Sequence, residues 1–377
     1  MPRGYQQSPH TRLINRFVTD FKRLMLYIRT DQILVFLAKK YTLKDLALEL
    51  NISISTVSKA LNNSPEISED TQKKVLALAQ LYHYRPNSTA LRLRESRSNH
   101  IGVVLPDLVH HFFTTVFKGI EEYANARGFN VSVCFSDDNT QKEKDAIDLL
   151  LDSGVDGIIL SLAGQTQQLA AWSHLQEVVA QGTHLVMFDR VTDHVPGDQV
   201  MIDDMHSAYK ATQRLIDLGC TRIALLTTES YLSVNQDRQS GYIKALKESN
   251  LTYEAQRVLA LPKSEVDPAS LRTFFAECPV DAVLCVNELI AVQAMHVVTA
   301  LGKRIPEDVA FVGYNNGMLS MYSYPSLTVV DQQGYLMGEK SAEVLIDKIC
   351  SKTPLDISKY VIPTTLVERN STPNTRK

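Results

Sequence analysis

The sequence predicts an α/β protein in two parts, a small helical unit at the N-terminus and a larger body of parallel, doubly wound sheets. Up to about residue 95, apolar residues recur at helical spacing and no strand-like run occurs. From residue 101 onward, short apolar runs alternate with longer amphipathic stretches. Strands that alternate with helices form parallel sheets with helices on both faces. Roughly ten strands over about 270 residues are more than one such sheet usually carries, so the body is expected to contain two such sheets.

The charge of the chain changes sign between the two parts. Residues 1–98 carry 16 Lys and Arg against 8 Asp and Glu, whereas the remaining residues carry 23 against 34. A basic unit joined to an acidic globular body is typical of a nucleic-acid-binding domain attached to a partner domain. A nucleic acid is therefore the first expected partner.

The five cysteines indicate neither a metal site nor a disulfide framework. They are scattered without a CxxC pair, and no histidines lie at zinc-finger spacing. We interpret them as buried, reduced thiols of a cytoplasmic protein, and we expect no metal. The cysteines are Cys134, Cys220, Cys278, Cys285 and Cys350.

The sequence also argues against a membrane protein and against an enzyme. The stretch Leu24–Ala38 is apolar enough to suggest a signal peptide or an anchor, but Arg29 and Asp31 interrupt it, so we expect no membrane segment. The chain lacks GxGxxG after a strand, GxxxxGKS or GxxxxGKT, HExxH and GxSxG. We therefore predict no enzymatic activity and no cofactor.

The N-terminal unit is predicted to contain three helices. Thr42 can cap a helix that starts at Leu43, and Asn51 suits the following turn because asparagine tolerates the left-handed conformation. Two short helices joined by such a turn form a helix-turn-helix, which places its second helix in the major groove of DNA. Ser53 and Ser68 would cap the second helix and the third, Glu69 to His83, and the core would contain Val57, Ala60, Leu61, Val75, Leu76, Leu78, Ala79 and Tyr82.

The exposed face of the second helix suits a DNA groove. Ile54 and Ser55 would face base edges, where an apolar side chain fits a thymine methyl and a hydroxyl bonds donors or acceptors. Lys59 could reach a guanine edge or a phosphate. The alternative interpretation is that these residues form the ordinary solvent-exposed face of a helix that does not contact DNA. The remaining candidate DNA contacts in this unit are short polar residues suited to phosphate oxygens or to capping, namely Thr42, Ser53, Thr56, Ser58 and Asn62.

Three segments resemble the LacI/GalR family of bacterial transcription regulators almost position by position: TLKDLALELNISISTVSKALN, ISEDTQKKVLALAQLYHYRPN and STALRLR. The resemblance implies a DNA-binding domain over residues 40–84 and a hinge helix with linker over residues 85–98. In the family this helix enters the minor groove, and here Leu93 would be the wedge that unstacks a base step. The other contacts implied there are Tyr84, Asn87, Ala90 and Arg94.

The resemblance extends to about residue 370 and implies a body similar to periplasmic sugar-binding proteins. Residues 99–370 would form the effector-binding and dimerisation domain, in which two α/β subdomains joined by three crossovers enclose a small ligand. The head-proximal subdomain would comprise residues 99–202 with 331–350, and the distal subdomain residues 203–330 with 351–370.

Both ends of the chain depart from the family pattern. Family members generally begin a few residues before TLKD, so we expect that residues 1–39 are an extension from a start codon assigned too far upstream. A basic arm that touches DNA is the alternative. Residues 371–377 are expected to be frayed and contain no leucine heptad, which favours a homodimer over a tetramer.

Motifs similar to those of the family predict the effector site at the carboxyl ends of the strands, where doubly wound sheets bind ligands. Polar side chains would bond sugar hydroxyls, and aromatic rings would cover an apolar ring face. One departure is GYNNG in place of the family's GFDD-type turn, which puts an asparagine where an acid often touches the ligand. The candidate effector contacts are His111, Phe112, Phe113, Asp189, Arg190, Arg238, Asn287, Glu288 and Asn315.

Together these expectations describe a repressor that binds a palindromic operator as a homodimer, with an affinity that depends on a sugar or sugar derivative. An orphan regulator without ligand response is the main alternative, because Asn315 weakens the inference of ligand type. A sugar-binding protein without regulation and an enzyme are further alternatives, and neither accounts for the basic head.

Overall fold

A computed structural model describes residues 41–84, 97–107, 110–262, 267–351, 353 and 355–373. It divides into two compact units, Met1–Ser96 and Arg97–Lys377, which we call the head and the body. Each is described separately.

The head contains the three predicted helices, Leu43–Glu49 (α1), Ile54–Leu61 (α2) and Glu69–Leu81 (α3). Thr42 caps α1 in a capping box, because its Oγ1 accepts the Asp45 N–H at 3.3 Å and the Asp45 carboxylate accepts the Thr42 N–H at 2.8 Å. Ser53 and Ser68 accept backbone N–H groups at the starts of α2 and α3. Asn51 has φ 52°. The predicted caps and the predicted turn are confirmed.

Alanines and medium-sized apolar residues make up the head core. In the described part of the head, the buried apolar residues are Leu46, Ala47, Val57, Ala60, Val75 and Ala79. Leu61, Leu78 and Tyr82 pack against them and are partly buried. The prediction of Leu76 as a core residue is wrong. Its side chain is 41% exposed, because it lies 100° around the helix from Val75, which points into the core.

The body contains two six-stranded sheets, as predicted from the alternation of apolar runs and amphipathic stretches. The elements of the first sheet and its helices are β1 (His100–Leu105), α4 (His111–Ala126), β2 (Asn130–Phe135), α5 (Thr140–Asp152), β3 (Gly157–Leu160), α6 (Gly164–Leu169), α7 (Ser173–Ala180), β4 (His184–Phe188) and β5 (Asp198–Ile202). The chain then continues through α8 (Asp204–Asp217), β6 (Ile223–Thr227), α9 (Ser233–Glu248), β7 (Val258–Ala260), α10 (Pro268–Glu277), β8 (Ala282–Cys285), α11 (Glu288–Ala300), β9 (Ala310–Tyr314), α12 (Met318–Tyr322), β10 (Thr328–Asp331), α13 (Gly334–Cys350), β11 (Lys359–Ile362) and β12 (Thr365–Val367).

The strand order is β11-β5-β4-β3-β1-β2 in the first sheet and β12-β10-β9-β8-β6-β7 in the second. All neighbouring strands are parallel except β12, which runs antiparallel to β10. Seven of the strands coincide with short apolar runs of the sequence, namely β1, β2, β3, β4, β6, β8 and β9. The five remaining strands were not predicted as individual runs, and all of them (β5, β7, β10, β11 and β12) lie at or beside an edge of a sheet.

The predicted subdomain boundaries need one correction, because β11 belongs to the first sheet. Lys359 pairs with Gln199 and Ile362 with Ile202, so residues 359–362 extend the first sheet and not the distal one. The Ser358 N–H, which precedes β11, also donates to the Asp198 carboxylate at 2.8 Å. The chain therefore crosses between the sheets after β5, after β10 and after β11.

The prediction of a frayed tail is wrong for its first residues. Ser371 and Thr372 are buried. The Ser371 hydroxyl accepts the Thr328 N–H at 2.8 Å and donates to the Phe311 carbonyl at 2.7 Å, which fixes the chain beside β9 and β10. Residues 374–377 lie outside the described ranges.

The cysteines are free, and their burial is mixed. Cys220, Cys278 and Cys285 are buried as predicted, whereas Cys134 is half-buried and Cys350, at the end of α13, is exposed. Within the described ranges no helix is long and apolar enough to cross a membrane. The same ranges hold no group of three His, Cys, Asp or Glu side chains that could bind a metal ion.

Each subdomain contains one helix pair in very close contact at a glycine. A Cβ on Gly119 in α4 would lie 2.2 Å from the Tyr335 carbonyl oxygen in α13. A Cβ on Gly241 in α9 would lie 2.1 Å from the Met205 carbonyl oxygen in α8. Both distances are far below van der Waals contact, so each helix crossing requires glycine. In both subdomains, a glycine thus allows two neighbouring helices to pack with their backbones in contact.

We expect Gly119→Ala to lower the free energy of unfolding of the body by about 1–3 kcal/mol, because the added methyl group pushes α4 away from α13. The higher helix propensity of alanine offsets part of this loss. Urea denaturation followed by circular dichroism measures the effect. Lys118→Ala, which truncates an exposed neighbour on the same helix, is the control. Equal stability of the two variants would contradict the packing argument.

Candidate functional site

The carboxyl ends of strands from both sheets meet at a cavity of about 70 Å³, which has room for several water molecules or for part of a small ligand. The cavity brings together seven predicted effector contacts, Phe112, Phe113, Asp189, Arg190, Arg238, Asn287 and Asn315. It is also lined by residues that the sequence analysis missed, namely His110, Thr228, Leu232, Val234, Asn235, Val286 and Gln332.

Asp189 and Asn315 occupy equivalent turns at the ends of β4 and β9. Both have left-handed backbone conformations, with φ 58° for Asp189 and 79° for Asn315. The Asp189 N–H donates to the Val200 carbonyl at 2.9 Å, and the Asn315 N–H donates to the Val330 carbonyl at 3.0 Å. Aspartate and asparagine tolerate this conformation better than other residues with side chains. The same turn thus presents one polar side chain to the cavity from each subdomain.

Arg238 is the most extensively bonded residue of the site. Its Nε donates to Asp204 Oδ1 at 2.7 Å, its Nη1 to the Val286 carbonyl at 2.7 Å and its Nη2 to Gln332 Oε1 at 2.8 Å. The guanidinium carbon lies 3.9 Å from the centroid of the Tyr314 ring. Arg238 and Asp204 are both buried. A buried guanidinium with these partners holds a fixed orientation, because its planar donors match all of them at once.

Gln332 connects Arg238 to the predicted effector contact Asn315. Because its Oε1 accepts from Arg238, its Nε2 is the donor toward Asn315 Oδ1. Gln332 follows β10, at the second crossover between the sheets, and it is buried. No local sequence pattern marks such a residue, since its role depends on contacts with distant parts of the chain.

Arg190 approaches the cavity from the first subdomain. Its Nη1 donates to Asp138 Oδ1 at 2.5 Å and to the Leu162 carbonyl at 3.4 Å, and its guanidinium carbon lies 5.8 Å from the Phe113 ring centroid. Within the described parts of the chain, its buried Nε has no hydrogen-bond partner. A buried donor without an acceptor is costly, so a ligand atom at this position would be favourable.

Two of the predicted effector contacts are not among the residues that line this cavity. His111 lies one residue beyond the lining residue His110 and faces a neighbouring cavity that also borders Asn316. The buried Glu288 carboxylate accepts the Ser320 N–H at 3.1 Å. Gly317 allows this close approach, because a Cβ there would lie 2.2 Å from Glu288 Oε1. The structure therefore gives Glu288 the role of holding the start of α12.

The two subdomains also touch beside the cavity. Gln167 in α6 donates through Nε2 to Ser233 Oγ at 3.1 Å, and its Oε1 accepts the Ser233 N–H at 3.3 Å. Ser233 is the first residue of α9, in the second subdomain. This reciprocal pair connects the two sides of the cleft without passing through a crossover.

The second candidate site lies in the head, where α2 exposes the residues predicted to contact DNA. Thr42, Ser53, Ile54, Ser55, Lys59 and Asn62 are exposed, and Thr56, Ser58 and Tyr84 are half-buried. Lys59 forms an ion pair with Glu66. The Ser53 hydroxyl bonds the Ser55 and Thr56 hydroxyls at 2.7 and 2.8 Å. The predicted contacts Asn87, Ala90, Leu93 and Arg94 lie outside the described residues.

Comparison with known proteins identifies the family. Residues 98–370 match the family described as periplasmic binding proteins and sugar binding domain of LacI family. Residues 42–87 match the family described as bacterial regulatory proteins, lacI family. The chain belongs to the LacI family. It is a DNA-binding transcriptional regulator with the periplasmic-binding-protein-like body that the sequence predicted.

Named relatives of this LacI-family chain are regulators, not enzymes. HTH-type transcriptional regulator RegA from Clostridium saccharobutylicum is 32% identical, over 88% of this chain and 99% of the relative. The ribose operon repressor of Halalkalibacterium halodurans is 30% identical, over 88% of this chain and 97% of the relative. Among solved structures, the complex of the transcriptional regulator CelR with cellobiose is similar, with a TM-score of 0.66 and 27% identity over 88% of this chain and 99% of that chain.

Asp204 makes the stability of the LacI-family body dependent on pH. Burial raises the pKa of its carboxyl to about 7, although Arg238 beside it acts in the opposite direction. In the unfolded chain the pKa is about 3.9. Between about pH 4 and pH 7, the folded protein therefore holds a proton that the unfolded chain has lost.

The raised pKa of Asp204 adds to the free energy of unfolding. We expect this addition to be fully present below about pH 4 and to be lost as the pH rises through about 7. The free energy of unfolding of the natural protein, minus that of Asp204→Asn, should therefore decrease as the pH rises from about 4 to about 7. Urea titrations at a series of pH values measure it. Asp203→Asn, at the exposed cap of the same helix, is the control. A difference independent of pH would contradict the prediction.

Proposed function

We propose that this LacI-family regulator is a repressor that binds a palindromic operator as a homodimer, and that a carbohydrate in the cleft changes its affinity for DNA. The observation that carries the effector part is the lining of the cleft. Phe112 and Phe113 provide apolar ring faces beside Asp189, Arg190 and Arg238, which can bond several hydroxyl groups at once. The relatives named as a ribose operon repressor and as a cellobiose complex support a carbohydrate.

An apolar patch on the second subdomain supports a homodimer. Met318, Leu319, Met321, Tyr322 and Tyr324 follow one another along α12 and the residues after it, and Tyr322 and Tyr324 are 82% and 99% exposed. Neighbouring exposed apolar side chains of this size are unusual on a monomer and are typical of an interface. A second copy of the chain is the partner that we propose, since two identical patches can face each other around a twofold axis. A palindromic operator has the same symmetry.

The connections between subdomains support coupling between effector and DNA. Three crossovers and the Gln167–Ser233 pair link the two subdomains near the cleft. A ligand that bonds both walls would favour one arrangement of the subdomains, which is a hinge-type change. By thermodynamic linkage, the factor by which the effector changes the affinity for DNA equals the factor by which DNA changes the affinity for the effector. Because its operator is bacterial DNA, we place the protein in the cytoplasm.

A DNA titration at fixed salt tests the proposal. We would titrate the protein against promoter regions next to its own gene, alone and with a panel of sugars, sugar acids and sugar phosphates. Salt is fixed because phosphate contacts dominate affinity. Specific binding that one compound shifts is the expected result. Specific binding that no compound shifts would favour the orphan regulator, and no specific binding would contradict the operator-binding part.

Two substitutions test how the protein contacts DNA. Lys59→Ala distinguishes a contact to a base from a contact to a phosphate, and Leu93→Ala tests whether Leu93 is inserted between two base steps. Lys59→Ala should weaken operator binding by about 1–3 kcal/mol if Lys59 bonds a base, and should lower the salt slope by about 1 if it bonds a phosphate. Leu93→Ala should weaken specific binding more than non-specific binding, because the wedge acts through the kink. Fluorescence anisotropy with operator and random DNA measures both.

The control for these variants is Lys74→Ala, which removes an exposed lysine paired with Asp70 on α3. Its operator affinity should stay close to that of the natural protein. If Lys59→Ala and Leu93→Ala also left operator binding unchanged, the assignment of α2 and the hinge to DNA would have no support.

The dimer prediction concerns Tyr322. We expect Tyr322→Lys to convert the dimer into monomers, because a charge within the apolar patch must be desolvated when the interface forms. Analytical ultracentrifugation measures the change. Leu169→Lys, at an exposed apolar position of the first subdomain, is the control and should stay dimeric. A Tyr322→Lys protein with an unchanged dimer constant would show that the interface lies elsewhere.

A further inference from the structure

The hydrogen-bond donors around the cleft fix which end of each neighbouring amide faces the ligand. Arginine and backbone N–H groups can only donate. An amide that meets one of them must turn its oxygen toward it, so its NH₂ group points to its other neighbour. Two amides of the second subdomain, Asn315 and Asn287, are oriented in this way.

The orientation of Asn315 follows from a chain of three residues. Arg238 Nη2 lies 2.8 Å from Gln332 Oε1, so this atom of Gln332 must be the amide oxygen. The NH₂ group of Gln332 then donates to Asn315 Oδ1. Asn315 Nδ2 is left as a donor, and it has no acceptor among the described residues. Asn315 therefore offers hydrogens to a ligand.

Asn287 is oriented by the start of α11. Its Oδ1 accepts the Ile290 N–H at 2.8 Å, in an N-cap bond that only an oxygen can accept. Its Nδ2 is therefore also a donor, again without an acceptor in the described parts of the chain. Because Asn287 and Asn315 line the same cavity, the wall formed by the second subdomain presents two NH₂ groups.

The opposite wall presents an acceptor as well as a donor. Asp189, at the end of β4, can accept hydroxyl hydrogens, and Arg190 adds a buried Nε that has no partner among the described residues. Both cleft arginines already bond carboxylates, Arg238 with Asp204 and Arg190 with Asp138. The preference of the cleft therefore depends on where donors and acceptors lie more than on net charge.

We propose that the effector carries an anionic group with acceptors only, a carboxylate or a phosphate, which binds against Asn287 and Asn315 while its hydroxyls face Asp189. The effector is then an acidic sugar derivative and not a neutral sugar. This inference rests on the proposed function of the cleft as an effector site. A hydroxyl can also accept from these donors, but bonds to a charged acceptor are about twice as strong.

Matched pairs of compounds test the inference by isothermal titration calorimetry on the full chain. D-Galacturonate and D-glucuronate replace one CH₂OH group of D-galactose and D-glucose by a carboxylate, and glucose 6-phosphate carries a phosphate there. At least one acid should bind about tenfold or more tightly than its neutral partner. Tighter binding of the uronates or of the phosphate ester identifies which anionic group fits.

Asn315→Asp is the decisive variant, because it keeps the shape and the backbone conformation and replaces the donor by an acceptor. Gln332 can still donate to one carboxylate oxygen, and the other would repel an anion. We expect the acid to lose about tenfold or more affinity, and to lose more than its neutral partner, because only the acid places a negative charge against the new carboxylate. Asn250→Asp, at an exposed turn with φ 59°, is the matched control and should leave both affinities unchanged.

Two results would overturn the inference: a neutral sugar that binds the natural protein more tightly than its acid, or no binding by any of these compounds. Equal losses for acid and neutral sugar in Asn315→Asp would also overturn it, since they indicate a general defect of the cleft. Operator titrations with the same proteins keep the two proposals apart. If a neutral sugar shifts DNA binding, the proposed function is supported and the preference for an acid is contradicted. If an acid binds the cleft but does not shift DNA binding, the preference for an acid is supported and the proposed regulation is contradicted.

Discussion

The buried guanidinium of Arg238 is the interaction on which the body most depends. It joins Asp204, directly after the first crossover, to Gln332, at the second crossover, and both to the end of β8 through the Val286 carbonyl. Two of the three connections between the subdomains are thus attached to the same side chain that orders the cleft. Because a buried charge cannot lose its partners without a large cost, Arg238 holds these segments and the cleft lining in one arrangement.

The features predicted correctly from the sequence are those that depend on residues close together in the chain. The caps Thr42, Ser53 and Ser68 and the turn at Asn51 depend on neighbours three or four residues away, and the buried strands are continuous apolar runs. β11 was missed because its apolar run, Tyr360–Ile362, is only three residues long, and Lys359 and Val361 are exposed. Its sheet could not be assigned without knowing its partner.

The same distinction explains the candidate site. Residues at strand ends, such as Asp189 and Asn315, were predicted from motifs and lie at the cleft. Gln332 and Asn235 were missed because each lines the cleft through contacts with other segments of the chain. His111 lies in a neighbouring cavity that shares Phe112, Asn315 and Gln332 with the first one, so its contact with an effector stays a prediction. Glu288 follows a strand as expected, but its carboxylate bonds the Ser320 N–H and not the cavity.

The paired left-handed turns at Asp189 and Asn315 have a consequence for how such regulators diverge. Aspartate and asparagine have nearly the same shape, and both fit this backbone, so one can replace the other without remodelling the fold. Each exchange nevertheless replaces a hydrogen-bond acceptor by a donor, or a donor by an acceptor, at the wall of the cavity. After gene duplication, a copy could thus acquire a new metabolic signal through a single substitution, while its packing and its helix-turn-helix remain those of the ancestor.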